Sequence, residues 1–384
     1  MKYPEKIDGQ YDILELLITP PNIKGDMIIE ELLSADYDLN LIGKIVSAGA
    51  NLDYIDEETN AAPIHYAVAD KKYEATELLL NNGANPEIVT EQGRTPLHIA
   101  VNSNSILIAS LLIDHNAHVD SLDISSSTPL HLAALYDYHK MAEFLLKNNA
   151  NPNKQDFSLR TPLHLTVSKN AIKSAKLLIK YGANIDARDI NGNTPLVYAI
   201  RENNKEMVKL LIKSGADVNS INNFNRTPIF SAISLEEKDI FKMLLKANAD
   251  VNHQDNDKNT PLHVSVGYDE INSFIGKTSS TKLLIENSAN PNIQNDLKLT
   301  PLHLAALDDL SDIAYALLFS GADPDIQDKD GDTPLHVASQ NGNESTIEVL
   351  LDNDASQTIK NKAGYSYEDI LKFNEEDDED LMNK

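Results

Sequence analysis

Thr95-Pro96-Leu97-His98 returns as Thr128-Pro129-Leu130-His131, Thr161-Pro162-Leu163-His164, Thr260-Pro261-Leu262-His263, Thr300-Pro301-Leu302-His303 and Thr333-Pro334-Leu335-His336. Thr194-Pro195 and Thr227-Pro228 keep the same phase with a different fourth residue. Neighbouring anchors lie 33 residues apart, apart from one step of 40 between Thr260 and Thr300. One step back from Thr95 lands on Ala62-Pro63, and one step on from Thr333 lands on Ser366. A fixed period of this size predicts a solenoid, in which each unit buries its apolar face only against its neighbours.

Each anchor reads as a helix start. Thr suits the N-cap, where its oxygen takes a free amide of the first turn. Proline suits the next position, because its φ is already helical and its missing N–H would have had no partner. A second helix follows, marked by apolar triplets such as Leu78-Leu79-Leu80, Leu111-Leu112-Ile113, Leu177-Leu178-Ile179 and Val349-Leu350-Leu351. Glu206 and Lys209 beside one triplet give that helix a wet face. Gly83-Ala84-Asn85, Asn149-Ala150-Asn151, Gly182-Ala183-Asn184 and Gly321-Ala322-Asp323 supply residue types that end helices in the left-handed conformation. An Asp- or Asn-rich turn, for example Asp189-Ile190-Asn191-Gly192, leads to the next anchor. The unit is thus a helix, a turn, a helix and a projecting hairpin-like loop.

A 33-residue period with a Thr-Pro-Leu-His core resembles the ankyrin-repeat family. The resemblance covers about residues 57 to 366. It implies an all-α fold with short β-hairpin loops, an ankyrin-repeat solenoid of about ten units with divergent caps. The predicted organisation is an N-terminal segment over 1–24 with a short helix, a single ankyrin-repeat domain over 25–371, and an acidic tail over 372–384. Within the domain, residues 25–56 form the N-terminal cap, 57–360 the repeats and 361–371 the C-terminal cap.

Composition narrows the function. The 384 residues carry 33 Lys and Arg against 59 Asp and Glu, a net charge of −26. That balance argues against nucleic acid, whose binders need a basic stripe. It favours a basic or neutral protein partner. No run of about 18 apolar residues predicts a membrane span, and no apolar h-region of signal-peptide type is seen near Met1. The expected location is the cytoplasm, or a host cell reached without a cleavable signal. The absence of cysteine excludes disulfides and fits a reducing compartment. The six consecutive acids Glu375 to Asp380 read as a solvated tail.

Candidate catalytic chemistry dissolves on inspection. His65, His98, His131, His164, His263, His303 and His336 all hold the fourth motif position. The family resemblance implies a structural role, with each ring bonded to the motif threonine and to turn backbone, so no metal is expected. Val197 and Phe230 replace this histidine, leaving Thr194 and Thr227 in need of another partner. Gly276-Lys277-Thr278 has Ile271 where a phosphate-binding loop needs glycine. Around Asp328-Lys329-Asp330-Gly331, Ile326 and Val337 stand where a calcium loop needs oxygen ligands. No Gly-x-Ser-x-Gly and no cysteine nucleophile is present, so neither an enzyme nor a cofactor is expected.

The family resemblance implies a protein-binding surface on the concave face, built from hairpin tips and first helices. Ile124, Phe157 and Ile190 stand four residues before their anchors, with Phe224 one place later in phase. Arg160 and Arg226 immediately precede anchors, and Leu135, Tyr136, Arg201, Leu235 and Tyr268 follow the first helices. Exposed apolar tips are costly unless covered, and interface hot spots are rich in aromatics and Arg. The seven-residue excess near 267–281 is expected to lengthen a loop between two helices. The leading expectation is a non-catalytic scaffold or adaptor, monomeric when unbound. The alternative is an inhibitor, such as an immunity protein or host-directed effector, that masks a basic active site.

Overall fold

A computed structural model describes residues 6–7, 10–233, 235, 238–267 and 278–372. The chain divides into two compact units, Met1–Ile190 and Asn191–Lys384. Tyr268, most of the 267–281 insertion and the acids at 375–380 lie outside the described residues.

In the first unit a two-stranded antiparallel pair, Lys6–Ile7 with Gln10–Tyr11, precedes the helix Ile13–Ile18. Asp12 caps that helix by accepting the Leu14 N–H. Pro20 and Pro21 then start the long helix Pro21–Leu33, which pairs with Leu39–Ser47 to form the N-terminal cap. Lys24 is buried, and its Nζ donates to the Ala48 carbonyl beyond the cap's second helix. Helix pairs follow at Pro63–Ala69 and Tyr73–Asn81, Pro96–Asn102 and Ile106–Asp114, Pro129–Leu135 and His139–Lys147, and Pro162–Leu165 and Ile172–Lys180. In the second unit the pattern continues from Pro195–Arg201 to Glu344–Asp352, and residues 367–372 are again helical.

The core repeats with the sequence. Ile64, Leu97, Leu130 and Leu163 are fully buried one step apart in the first unit, as are Leu196, Ile229, Leu262, Leu302 and Leu335 in the second. Leu79, Leu112, Leu145 and Leu178 do the same on the second helices. Within each unit first helices meet the equivalent helices of neighbouring repeats through this apolar contact, which is how a repeat too small for its own core is stabilised. Thr166 stands where Ala67, Ala100 and Ala133 stand elsewhere, and its hydroxyl donates to the Leu163 carbonyl. The first helix of that repeat is correspondingly short, four residues long.

The hairpin loops are tight turns rather than strand pairs among the described residues. Asp123 donates its N–H to Ser127 O at 3.0 Å, while its carboxylate accepts the Ser125 and Ser127 amides. Asp156, Asn222, Asp255, Asn295 and Asp328 close their turns in the same way. This is Asx-turn chemistry, and it explains why acids recur at these positions.

Candidate protein-binding surface

His65, His98, His131, His263, His303 and His336 are each locked between two repeats. Thr128 N–H donates to His131 Nδ1 at 3.0 Å, so Nδ1 carries no proton and the ring is the neutral Nε2–H tautomer. The Thr128 hydroxyl also donates to Nδ1, at 2.9 Å, and Nε2–H donates to the Arg160 carbonyl of the next repeat at 3.1 Å. His98, His263, His303 and His336 repeat the arrangement. His65 manages it without a threonine, accepting from Ala62 N–H and donating to the Ile88 carbonyl. Burial holds the His65, His98, His131 and His303 rings below the usual imidazole range, and takes His263 down to about 4. These rings are neutral crosslinks.

Where histidine is missing, the threonine is stranded. Thr194 Oγ1 and Thr227 Oγ1 are buried without a hydrogen-bond partner among the described residues. At Phe230 a different contact fills the place: the Arg226 guanidinium lies 5.7 Å from the ring centroid.

The tips themselves form a backbone ladder. Ile124 N–H donates to the Gln92 carbonyl, Phe157 N–H to Ser125 and Ile190 N–H to Ser158, at 3.1, 3.0 and 2.9 Å. In the second unit Asn256 N–H donates to Phe224 O and Lys329 N–H to Leu297 O. Ile124, Phe157 and Ile190 therefore share one position on successive tips, whereas Phe224 and Leu297 share its neighbour. All five side chains are exposed: Ile124 60%, Phe157 70%, Ile190 58%, Phe224 61% and Leu297 44%.

Every tip also turns through one left-handed residue. Asn60, Gly93, Ser126 and Leu159 hold this place in the first unit, and Gly192, Asn225, Lys258, Lys298, Gly331 and Gly364 in the second. Glycine is required at Gly93, because an added Cβ would sit 2.8 Å from the Ile124 nitrogen of the next tip. Leu159 is the outlier: a γ-branched residue at φ 58° and 43% exposed, two residues after Phe157. Local geometry favours Gly or Asn there.

The remaining expected contact residues divide clearly. Arg160 is held by buried Asp156, with Nε and Nη2 at 2.9 and 2.8 Å from one carboxylate oxygen. Arg226 Nε donates to buried Asp255 at 3.0 Å. Leu135 and Leu235 are half-buried, and Arg201 is exposed. Tyr136 is exposed, and its ring lies 5.6 Å from that of Tyr138. Leu122 and Leu159, exposed beside the tips, were not among the expected residues. Alignment at 33-residue steps reveals Leu159, because it occupies the column otherwise filled by Gly, Ser, Asn and Lys.

Comparison with known proteins agrees with this geometry. The family profile described as "Ankyrin repeats (3 copies)" matches residues 7–123, 64–156, 157–222 and 271–361, and "Ankyrin repeat" matches 224–256. The crystal structure of the ankyrin repeat domain of Bcl-3, described as a unique member of the IkappaB protein family, superposes with a TM-score of 0.51 at 28% identity. That match covers 53% of this chain and 94% of the Bcl-3 chain. Curated proteins gave no match. Ankyrin repeats generally mediate protein–protein interaction and are typically non-catalytic. Among the described residues no helix is long and apolar enough to cross a membrane. The chain is a member of the ankyrin-repeat family.

Proposed function

We propose that this protein is a non-catalytic scaffold or adaptor that holds a partner protein along the hairpin tips of residues 122–190. The observation that carries the reading is Leu159. A branched side chain in the left-handed region costs about 1–2 kcal/mol relative to ordinary backbone. Such strain persists where the surrounding turn holds it, as at Lys258 and Lys298, and it clusters at binding sites. Here it places a second apolar side chain beside Phe157, in a row that already contains Ile124 and Ile190. Glu91 and Asn256 occupy the Phe157 position in other repeats, so the fold itself does not demand apolar groups there.

In this reading Phe157 and Leu159 are the anchors and Ile124 and Ile190 flank them. Tyr136 and the half-buried Leu135 extend the surface from the first helix of their repeat. Arg160 and Arg226 act by fixing their turns on Asp156 and Asp255. In the second unit Phe224, with Arg201 and Leu235, is a separate contact set. The partner is basic or neutral, drawn in by the summed field of the −26 charge.

The test is calorimetric titration of a partner recovered from native lysate. Phe157→Ala should weaken binding by about 2 kcal/mol or more while moving stability much less. Glu91→Ala should change neither. Full affinity in Phe157→Ala, with a sharply lowered melting temperature, would mean that the tip residue is packing.

A further inference from the structure

We propose that the second helices of residues 139–180 form a basic face that binds an acidic peptide segment of a partner protein. The observation is a reversal of sign. Residues 139–188 hold nine Lys and Arg against three acids, in a chain that carries 33 against 59 overall. Two of those acids, Glu143 and Asp156, are already engaged by Lys147 at 2.9 Å and Arg160 at 2.8 Å.

The cations are placed by the repeat. Lys140 and Lys173 are 33 residues apart, as are Lys147 and Lys180, so each pair holds one position on the consecutive helices His139–Lys147 and Ile172–Lys180. These helices pack against each other. Helices in such contact run about 8–10 Å apart. Lys173, Lys176 and Lys180 share one face at i, i+3 and i+7, and Lys169 stands in the loop before them. All six lysines are exposed. Like charges at these spacings destabilise a helix, whereas an ordinary solvated face interleaves both signs. A counter-charge laid across the two helices would remove that repulsion.

The chemistry of the occupant follows from the rest of the molecule. An extended polyanion would lie beyond the patch and meet the field of a chain with net charge −26. A short acidic segment stays within about one Debye length, roughly 8–10 Å, of the lysines. It is therefore the occupant that the charge distribution admits. This surface uses none of the tip residues and stands independently of the function proposed above.

Fluorescence anisotropy of a labelled hexaglutamate peptide titrated with the full chain tests the proposal. Binding is expected at low salt and should weaken at least tenfold between about 50 and 300 mM salt. Lys173→Glu/Lys176→Glu should lower affinity at least tenfold, and Lys173→Gln/Lys176→Gln should fall between. Lys242→Glu, a charge reversal at an exposed lysine on the helix Asp239–Lys246 of the second unit, should bind as the parent does. Circular dichroism checks that helix content is retained. Absence of binding by the parent chain at low salt would overturn the proposal. So would parental affinity in the glutamate variant, or stronger binding to duplex DNA or to anionic vesicles than to the peptide.

Discussion

Replacing threonine by valine at Thr128 and at Thr194 should shift stability in opposite directions. The substitution is nearly isosteric and exchanges a hydroxyl for a methyl. At Thr128 the hydroxyl sits 2.9 Å from His131 Nδ1 and also lies 3.4 Å from the His131 N–H. Removing it forfeits the bond to Nδ1, worth about 1 kcal/mol net, and the long one from the His131 N–H, which keeps the Thr128 carbonyl as its acceptor. The ring keeps its bond from the Thr128 backbone, so the loss should not reach the roughly 3 kcal/mol of a broken network. At Thr194 the hydroxyl is buried and unpartnered, because Val197 replaces the histidine. An unsatisfied buried hydroxyl costs about 1–3 kcal/mol, and valine removes that cost. The two variants should therefore differ by about 2–4 kcal/mol. For units of this size, each kcal/mol moves the melting temperature by about 2–4 °C. Thermal melts should show Thr128→Val lowered and Thr194→Val raised relative to the parent. Equal losses in both would refute the reasoning, since they would mean that the histidine contributes nothing to the value of the hydroxyl.

Other outcomes follow from the same contacts. Burial depresses the folded pKa values of His65, His98, His131, His263 and His303, so the unfolded chain binds more protons between pH about 4 and 6.5. Stability should be fully present above pH 6.5 and fall as the pH drops through that window, with His263 alone contributing about 3 kcal/mol; urea midpoints that stay flat from pH 7 to 4.5 would contradict this. Leu159→Asn should raise the melting temperature, because Asn accepts the left-handed conformation, while weakening partner binding; calorimetry on one preparation reads both. Lys24→Met should destabilise the N-terminal cap by about 1–3 kcal/mol by leaving the Ala48 carbonyl without its donor, seen as faster hydrogen exchange in residues 21–47.

Much of the fold was legible because a 33-residue period is a strong signal and its parts have local causes. Thr-Pro marks a helix start, and the positions of Leu97, Leu130 and Leu163 read directly as core. The stranded hydroxyls at Thr194 and Thr227 were also legible, since Val197 and Phe230 break the motif in plain view. The ring's bonding to turn backbone came only from the family resemblance, and its reach into the next repeat had no local signal. His131 reaches the Arg160 carbonyl 29 residues on, a distance set by how repeats stack rather than by any local pattern. Arg160 and Arg226 read as contact residues because their partners, Asp156 and Asp255, look like ordinary turn acids in sequence. The strain at Leu159 depends on φ, which only alignment of the turns against one another exposes. The lysine face was hidden by the total charge, which averages a local reversal away.

The central claim is that the Phe157 tip touches the partner, and site-directed photo-crosslinking tests it most directly. A photoreactive phenylalanine analogue at position 157 should capture the partner, and excess unmodified chain should suppress that capture. The same analogue at position 91, the equivalent place on a polar tip, should capture little. Equal capture at both positions, or capture at 91 alone, would contradict the account.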